Sequence, residues 1–337
     1  MKVKICLTIL TAVVILMLCI AIGSVHIRIA DIFGILMSAV FGLPVPEHIS
    51  PATAAIVLNL RLPRVLLAFI AGAALSVSGA VMQSVLRNPL ASSYTLGVSS
   101  GASLGAALVI FLGVSLPFSP MLTLPVLGFV FGLGTILTAM AIAQQLDCNM
   151  GNHTIILTGM VFSLFINAVT TLMFAFFRES VQRMVFWQMG SFSMRDWSAV
   201  YILGPLAAAG IIIIARYKWE LDVMTFGEEQ AQSIGVSSRK VKWILLIISA
   251  AITGSTIAFV GVIGFVDLVA PHIVRKLFGS AHKYVIPMSA VVGGGFMALC
   301  DLLARTAAAP VELPVGAVTA IIGAPFFAYV YFSKRKS

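Results

Sequence analysis

The residues able to do chemistry in this chain are few, and most lie in strongly apolar surroundings. Asp267, Pro271, His272 and Arg275 fall within one run, Gly264 to Arg275; Asp301 and Arg305 stand four apart; Glu312, Pro314 and Gly316 follow, then Gly323 and Pro325. A charge at the bilayer centre costs about 2.5–3.5 kcal/mol even on a lenient insertion scale. Such residues therefore mark a protein interior, a wet cavity or a pathway, and the broken, polar-punctuated region reads as transport apparatus. Asp301 and Arg305 have the spacing of a self-neutralising helical pair. His272 has no second His or Cys nearby, so it reads as a structural hydrogen-bonding group, not a metal ligand.

Other chemistries lack support. The chain has no G-x-x-x-x-G-K-[ST], so it does not bind ATP through a P-loop, and it has no H-E-x-x-H. No convincing nucleophile–base set is present. Cys6, Cys19, Cys148 and Cys300 are widely spread without metal-like spacing. Leu18 before Cys19 argues against lipoprotein processing. No metal site and no catalytic residue are expected.

Composition defines what must position these groups. Of 337 residues, 60% are hydrophobic and 10% charged, with mean hydropathy +1.07; a soluble chain carries about 25% charged residues. The fold class is an all-α polytopic membrane protein, read as one transmembrane domain over residues 1–337. The net charge of +9 does not indicate nucleic acid, because the basic residues form short clusters between apolar runs. Lys2 and Lys4 precede an apolar run from Ile5 to Ile22, longer than a usual signal-peptide core, which reads as an uncleaved first span.

With a crossing needing about 20 apolar residues, spans are placed near 5–25, 63–86, 95–114, 121–144, 154–177, 197–215, 241–260, 264–276, 284–304 and 312–332, the eighth of them short and interrupted by Asp267 and Pro271. Ten spans put both termini on one side. That side holds fourteen Lys and Arg, including Lys334, Arg335 and Lys336, against seven on the other, so the termini are expected in the cytoplasm. The seven outer residues are all Arg, among them Arg61, Arg64, Arg195 and Arg305. Arg suits bidentate carboxylate pairing, which suggests an acidic outer partner.

Two loops are long. Residues 26–62 form the outer one, with a short interfacial helix expected over Ile29 to Phe41. Residues 216–240 form the inner one. Within it a helix is expected from Glu228 to Ser233, capped by Thr225 or Gly227 and stopped by Gly235, with Glu228 and Glu229 suiting its positive end. A structured helix there suggests a docking partner. The second span is read as opening at Arg61-Leu62-Pro63-Arg64 and closing at Arg87-Asn88-Pro89-Leu90. Its Gly72, Ser76 and Gly79 form a small-residue packing face, and Gln83 must find a partner. Small polar residues recur from Gly97 to Gly105, where close packing and a wetted pathway both fit. The fifth span opens at Asn152 and His153 and carries Asn167, Thr170 and Thr171 near one face, where pathway lining and interhelical hydrogen bonding both fit.

These stretches together resemble the permease subunit of ABC importers for iron–siderophore, haem and vitamin B12, the FecCD type. The resemblance rests on Arg61-Leu62-Pro63-Arg64, Gln83, Asn88-Pro89-Leu90-Ala91, Leu96-Gly97, Gly264-Phe265-Val266, Ala270-Pro271-His272 with Arg275, Asp301 with Arg305, Glu312-Leu313-Pro314-Val315-Gly316, and Gly323 with Pro325-Phe326. It implies ten helices per subunit in a cytoplasmic membrane of bacterial type, surrounded by lipid. It implies a second permease subunit, identical or paralogous, two cytoplasmic ATPase subunits and an extracytoplasmic binding protein. ATP and Mg²⁺ would then belong to the ATPase, with no cofactor in this chain and no enzymatic chemistry of its own. The ATPase would meet Phe226, Gly227, Glu228, Glu229, Ala231 and Gly235. Arg61, Arg64 and Arg305 would accept glutamates of the binding protein. Val85, Leu86, Asn152 and His153 would form a gate, with Asn167 on the pathway. Asp267 replaces the family's usual Gly, and Ser92-Ser93-Tyr94 replaces a more usual acidic residue and proline. The expected cargo is a ferric siderophore. The alternative is an ion-coupled secondary transporter using Asp267, His272 or Asp301.

Overall fold

The computed structural model describes residues 1–23, 27–44, 46–117 and 119–333; Lys334, Arg335 and Lys336 lie outside the described residues. No strand occurs among the described residues. The chain begins with α1 (Lys2–Ala21), α2 (Ile29–Phe41) and α3 (Pro51–Ala55). A π-helical turn, Ile56–Arg61, leads into α4 (Leu62–Val85). Then come α5 (Val98–Leu112), α6 (Thr123–Leu146), α7 (Asn152–Phe176), α8 (Val181–Gln188) and α9 (Trp197–Arg216). Short helices α10 (Lys218–Met224) and α11 (Glu228–Ser233) precede α12 (Ser238–Val260). The chain closes with α13 (Val266–Phe278), α14 (His282–Thr306) and α15 (Val315–Ser333).

Among the described residues, seven helices are long and apolar enough to cross a membrane: Lys2–Ala21, Pro51–Val85, Pro120–Leu146, Asn152–Phe176, Trp197–Arg216, Ser238–Val260 and His282–Thr306. Each of the ten expected spans falls on a helix, but those on α5, α13 and α15 are outside this set. The α4 span is the most enclosed of the seven, while α1 shows most of its surface to its surroundings. α4 is therefore the central post, packed against α14, α12, α13 and α9.

The small face of α4 explains this density. A side chain at Gly72 would strike the Gly293 carbonyl and Met297 on α14, and one at Gly79 would strike the Asp267 carbonyl on α13. Small residues let backbones approach this closely, as their spacing suggested.

The outer loop requires a correction. Helical structure does not open at Leu62-Pro63 but runs back without interruption to Pro51. Proline lacks an N–H and normally ends or kinks a helix. Here the π turn absorbs it: the Leu62 N–H bonds to the Val57 carbonyl, and the indole N–H of Trp197 donates to the Leu58 carbonyl at 2.9 Å. Pro63, the next residue, has no N–H to offer Leu58. The inner loop is also more ordered than a loop. It contains α10 as well as the expected α11, and α12 already begins at Ser238. The short helix α8 was not anticipated.

Candidate functional site

At one end of the bundle, α4, α14 and the segment before α15 meet in an ion cluster. Arg64 Nη2 lies 2.9 Å from Asp301 Oδ1, and Nη1 lies 2.8 Å from Glu312 Oε1. Asp301 is 1% exposed and sits between Arg64 and Arg305, whose Nε is 3.8 Å from its second oxygen. Arg305 also donates to the Cys19 carbonyl. Buried Arg61 donates to the carbonyls of Ile20 and Ala21 at 2.7 and 2.9 Å. Each of the three arginines expected to receive a partner's glutamates also bonds within the chain, tying α1, α4 and α14 together. Arg195 lines the same cavity of about 900 Å³. Burial pushes its guanidinium below its ordinary pKa, and its Nε has no partner among the described residues.

A second cavity, of about 420 Å³, opens between α5, α7 and α8. Tyr94, Ser99, Ser100, Ser103, Asn167 and Gln188 line it. Asn167 and the third-span serines thus share a polar groove. Thr170 and Thr171 do not join it; their hydroxyls bond back to Ile166 and Asn167 carbonyls at 3.0 and 2.8 Å. Tyr94 donates to the Ile263 carbonyl in the break between α12 and α13.

That break carries the Asp267 motif. Phe265 takes a left-handed conformation (φ 69°) as α13 starts. Pro271, inside α13, has no N–H for the Asp267 carbonyl, and Gln83 Nε2 donates to that carbonyl at 3.1 Å. Arg275 donates to Gln83 Oε1, and to the Ala80 carbonyl and Ser84 Oγ at 3.1 Å each. Ser84 Oγ is 2.7 Å from His282 Nε2, and His282 Nδ1 is 2.6 Å from Asp222 Oδ1 on α10. Asp267 itself is buried, with Oδ2 unpartnered among the described residues. His272 is half-buried beside Pro271. Asn88 closes the end of α4 through a local turn, accepting the Leu90 N–H at 2.9 Å. Gly316 packs against the carbonyls of Met189 and Val262, where a side chain has no room, just after Pro314.

The opposite end bears α11. Gly227 is its N-cap at φ 132°, a conformation that favours glycine, while Thr225 bonds to Asp222 instead. Ala231 is buried and anchors the helix; Glu229 and Gly235 are exposed. Phe226 is 76% exposed, and Trp219 on α10 and Ile234 at the end of α11 are exposed as well. Glu228 reaches back to Lys242 Nζ at 2.6 Å. Lys242 was not singled out from sequence, because nothing local distinguishes it from Arg239 and Lys240. Nearby, the 147–151 turn leads into α7 with His153 exposed and Asn152 Oδ1 unpartnered among the described residues. The Asp147 carboxylate lies below the usual range because it accepts the Gly151 and Asn149 N–H groups at 2.8 and 2.9 Å. Val85 and Leu86 are 1% and 2% exposed and pack in the core with Met150, Leu221 and Leu245. Within this single chain both side chains lie in that packed interior, at the end of α4.

A model of the FecCD transport family matches residues 10–333, and the chain belongs to that family. Its fold is that of an ABC transporter permease. It is 42% identical over 93% of its length to an uncharacterized ABC transporter permease protein of Bacillus subtilis, covering 89% of that protein. It is 36% identical over 83% of its length to an Fe(3+)-citrate import system permease protein of the same organism, covering 83% of it. A solved structure of an ABC transporter described as of metal-chelate type, in an inward-facing conformation, superposes with TM-score 0.85 at 29% identity, covering 98% of this chain and 99% of that one. Further relatives carry names for hemin, cobalamin and molybdate import. The protein is a multi-pass permease of the cytoplasmic membrane.

Proposed function

We propose that this chain is the permease subunit of a binding-protein-dependent importer for iron chelates, with ferric siderophores as cargo. The observation that carries the reading is the surface around α11: Phe226, Trp219 and Ile234 are exposed beside a short polar helix, in a chain without a P-loop. An ATPase pair holding ATP and Mg²⁺ covers that surface from the cytoplasm, meeting Phe226, Glu229 and Gly235, with Gly227, Glu228 and Ala231 holding the helix in place. This chain holds no cofactor. The pathway runs along the polar groove at Ser99, Ser103 and Asn167, completed by a second permease subunit. Asn152 and His153 stand at its inner mouth. A binding protein docks over the Arg195 cavity at the outer end.

In this reading α1, α4, α5, α6, α7, α9, α12, α13, α14 and α15 make ten crossings of one domain, with both termini in the cytoplasm. Access alternates because ATP and the loaded binding protein favour different conformations. The test is reconstitution with the ATPase pair and the binding protein in liposomes. ATP-dependent uptake of a ferric siderophore, lost in Phe226→Asp with insertion intact, supports the assignment. Uptake of haemin, cobalamin or molybdate in its place reassigns the cargo.

A second reading is favoured by one observation, the unpartnered oxygen of buried Asp267. It makes this acid an ion-coupling site. Uptake that runs on an ion gradient without ATP, and stops in Asp267→Asn, would select it.

A further inference from the structure

We propose that Lys242 is a positioning residue that carries movement of α11 to the 147–151 turn and so sets the state of the inner mouth. The proposal rests on the permease reading. Lys242 is 0% exposed. A buried ammonium persists only when its partners are in place, and its two come from different elements. Glu228 Oε1, on the first turn of α11, lies at 2.6 Å, and the Met150 carbonyl, in the turn between α6 and α7, at 2.8 Å.

The turn depends on such support. Met150 is buried with a left-handed backbone (φ 53°), a conformation that only glycine adopts routinely. Asp147 holds the turn from within through the Gly151 and Asn149 N–H groups. From outside, Lys242 holds the Met150 carbonyl. The next residue of α12 adds a second tie, Trp243 Nε1 to Gln144 Oε1 at 3.1 Å. The turn continues directly into Asn152 and His153, and then along α7 to Asn167 in the groove. When an ATPase moves α11, Glu228 takes the ammonium with it or leaves a buried charge unpaired. The second outcome is the costlier, so the Met150 carbonyl follows.

A lysine that only stabilises the fold behaves differently from one that transmits movement. Loss of the first lowers uptake and ATP hydrolysis together; loss of the second lowers the uptake obtained per ATP. A native thiol reports on the turn itself: Cys148 is exposed, while Cys19 and Cys300 are buried. The experiment uses the whole reconstituted transporter with Cys6→Ser as background, comparing maleimide labelling of Cys148 without nucleotide and after ATP–vanadate trapping. In Lys242→Met and in Glu228→Gln, uptake per ATP falls about tenfold, within the usual range of allosteric couplings, and Cys148 labelling loses its nucleotide dependence. An unchanged ratio with an unchanged Cys148 response overturns the proposal. Glu228→Gln, altered at a half-buried side chain, decides alone if Lys242→Met fails to assemble. If the parent transporter takes up substrate with ATP but Cys148 never responds to nucleotide, the proposal falls and the permease reading stands. Absence of ATP-driven uptake in the parent removes the permease reading, and this proposal with it.

Discussion

Gln83 Nε2 donates at 3.1 Å to the main-chain carbonyl of Asp267, the acceptor that Pro271 leaves without a helical N–H. A side chain on α4 thus repairs a proline break on α13, and Gly79 lets that carbonyl come close enough. An orphaned buried carbonyl costs about 1–3 kcal/mol. Gln83→Leu should therefore lower the thermal midpoint of the detergent-solubilised protein. Pro271→Ala in the same chain restores the helical donor and should recover part of the loss. A double variant no more stable than Gln83→Leu alone would contradict this account.

Arg64→Met should reduce the folded yield sharply, because it strands Asp301 in the interior. Breaking a buried pair by removing one partner costs about 3–5 kcal/mol, whereas replacing both partners with apolar groups is often tolerated. Arg64→Met with Asp301→Leu should recover monodisperse protein on size-exclusion chromatography. Normal yield for Arg64→Met, with binding-protein affinity alone lost, would instead assign Arg64 a docking role.

The contact of Gly72 with Gly293 sets the α4–α14 crossing. Gly72→Leu forces the backbones apart, and overpacking of this kind costs about 1–3 kcal/mol. The expected readout is a lower thermal midpoint, with faster proteolysis of the α14 region. Gly134→Leu is the control, since a side chain there meets open space.

Acidification should loosen the 147–151 turn. The Asp147 pKa is depressed in the folded chain by its backbone N–H donors, so this contribution is complete above the ordinary carboxylate pKa and is lost as pH falls through the depressed value. Amide exchange at Asn149 and Gly151, taken relative to the intrinsic rate at each pH, should therefore be slow at neutral pH and lose that protection in acid. In Asp147→Ala it should be fast throughout. Equal exchange in the two proteins at pH 7 would show that the carboxylate does not hold the turn.

Much of this protein was legible in its amino-acid order, for a local reason. A bilayer leaves no water for the backbone, so each crossing must satisfy its own hydrogen bonds as a helix, and its length and apolarity appear in a contiguous run. The runs at α1, α6, α7, α9, α12 and α14 could be read directly. So could α11, because Gly227, the two glutamates and Gly235 are local signals. At one proline local reading failed. Pro63 looked like a beginning, yet the Trp197 indole, more than a hundred residues away in sequence, supplies the donor that lets the helix continue to Pro51. The internal partners of the arginines were hidden for the same reason. Their count lay in the sequence, but which carboxylate a guanidinium meets depends on which helices pack together, and Asp301 and Glu312 meet Arg64 only in the folded bundle. Lys242 sat unnoticed in a basic cluster until packing closed around it.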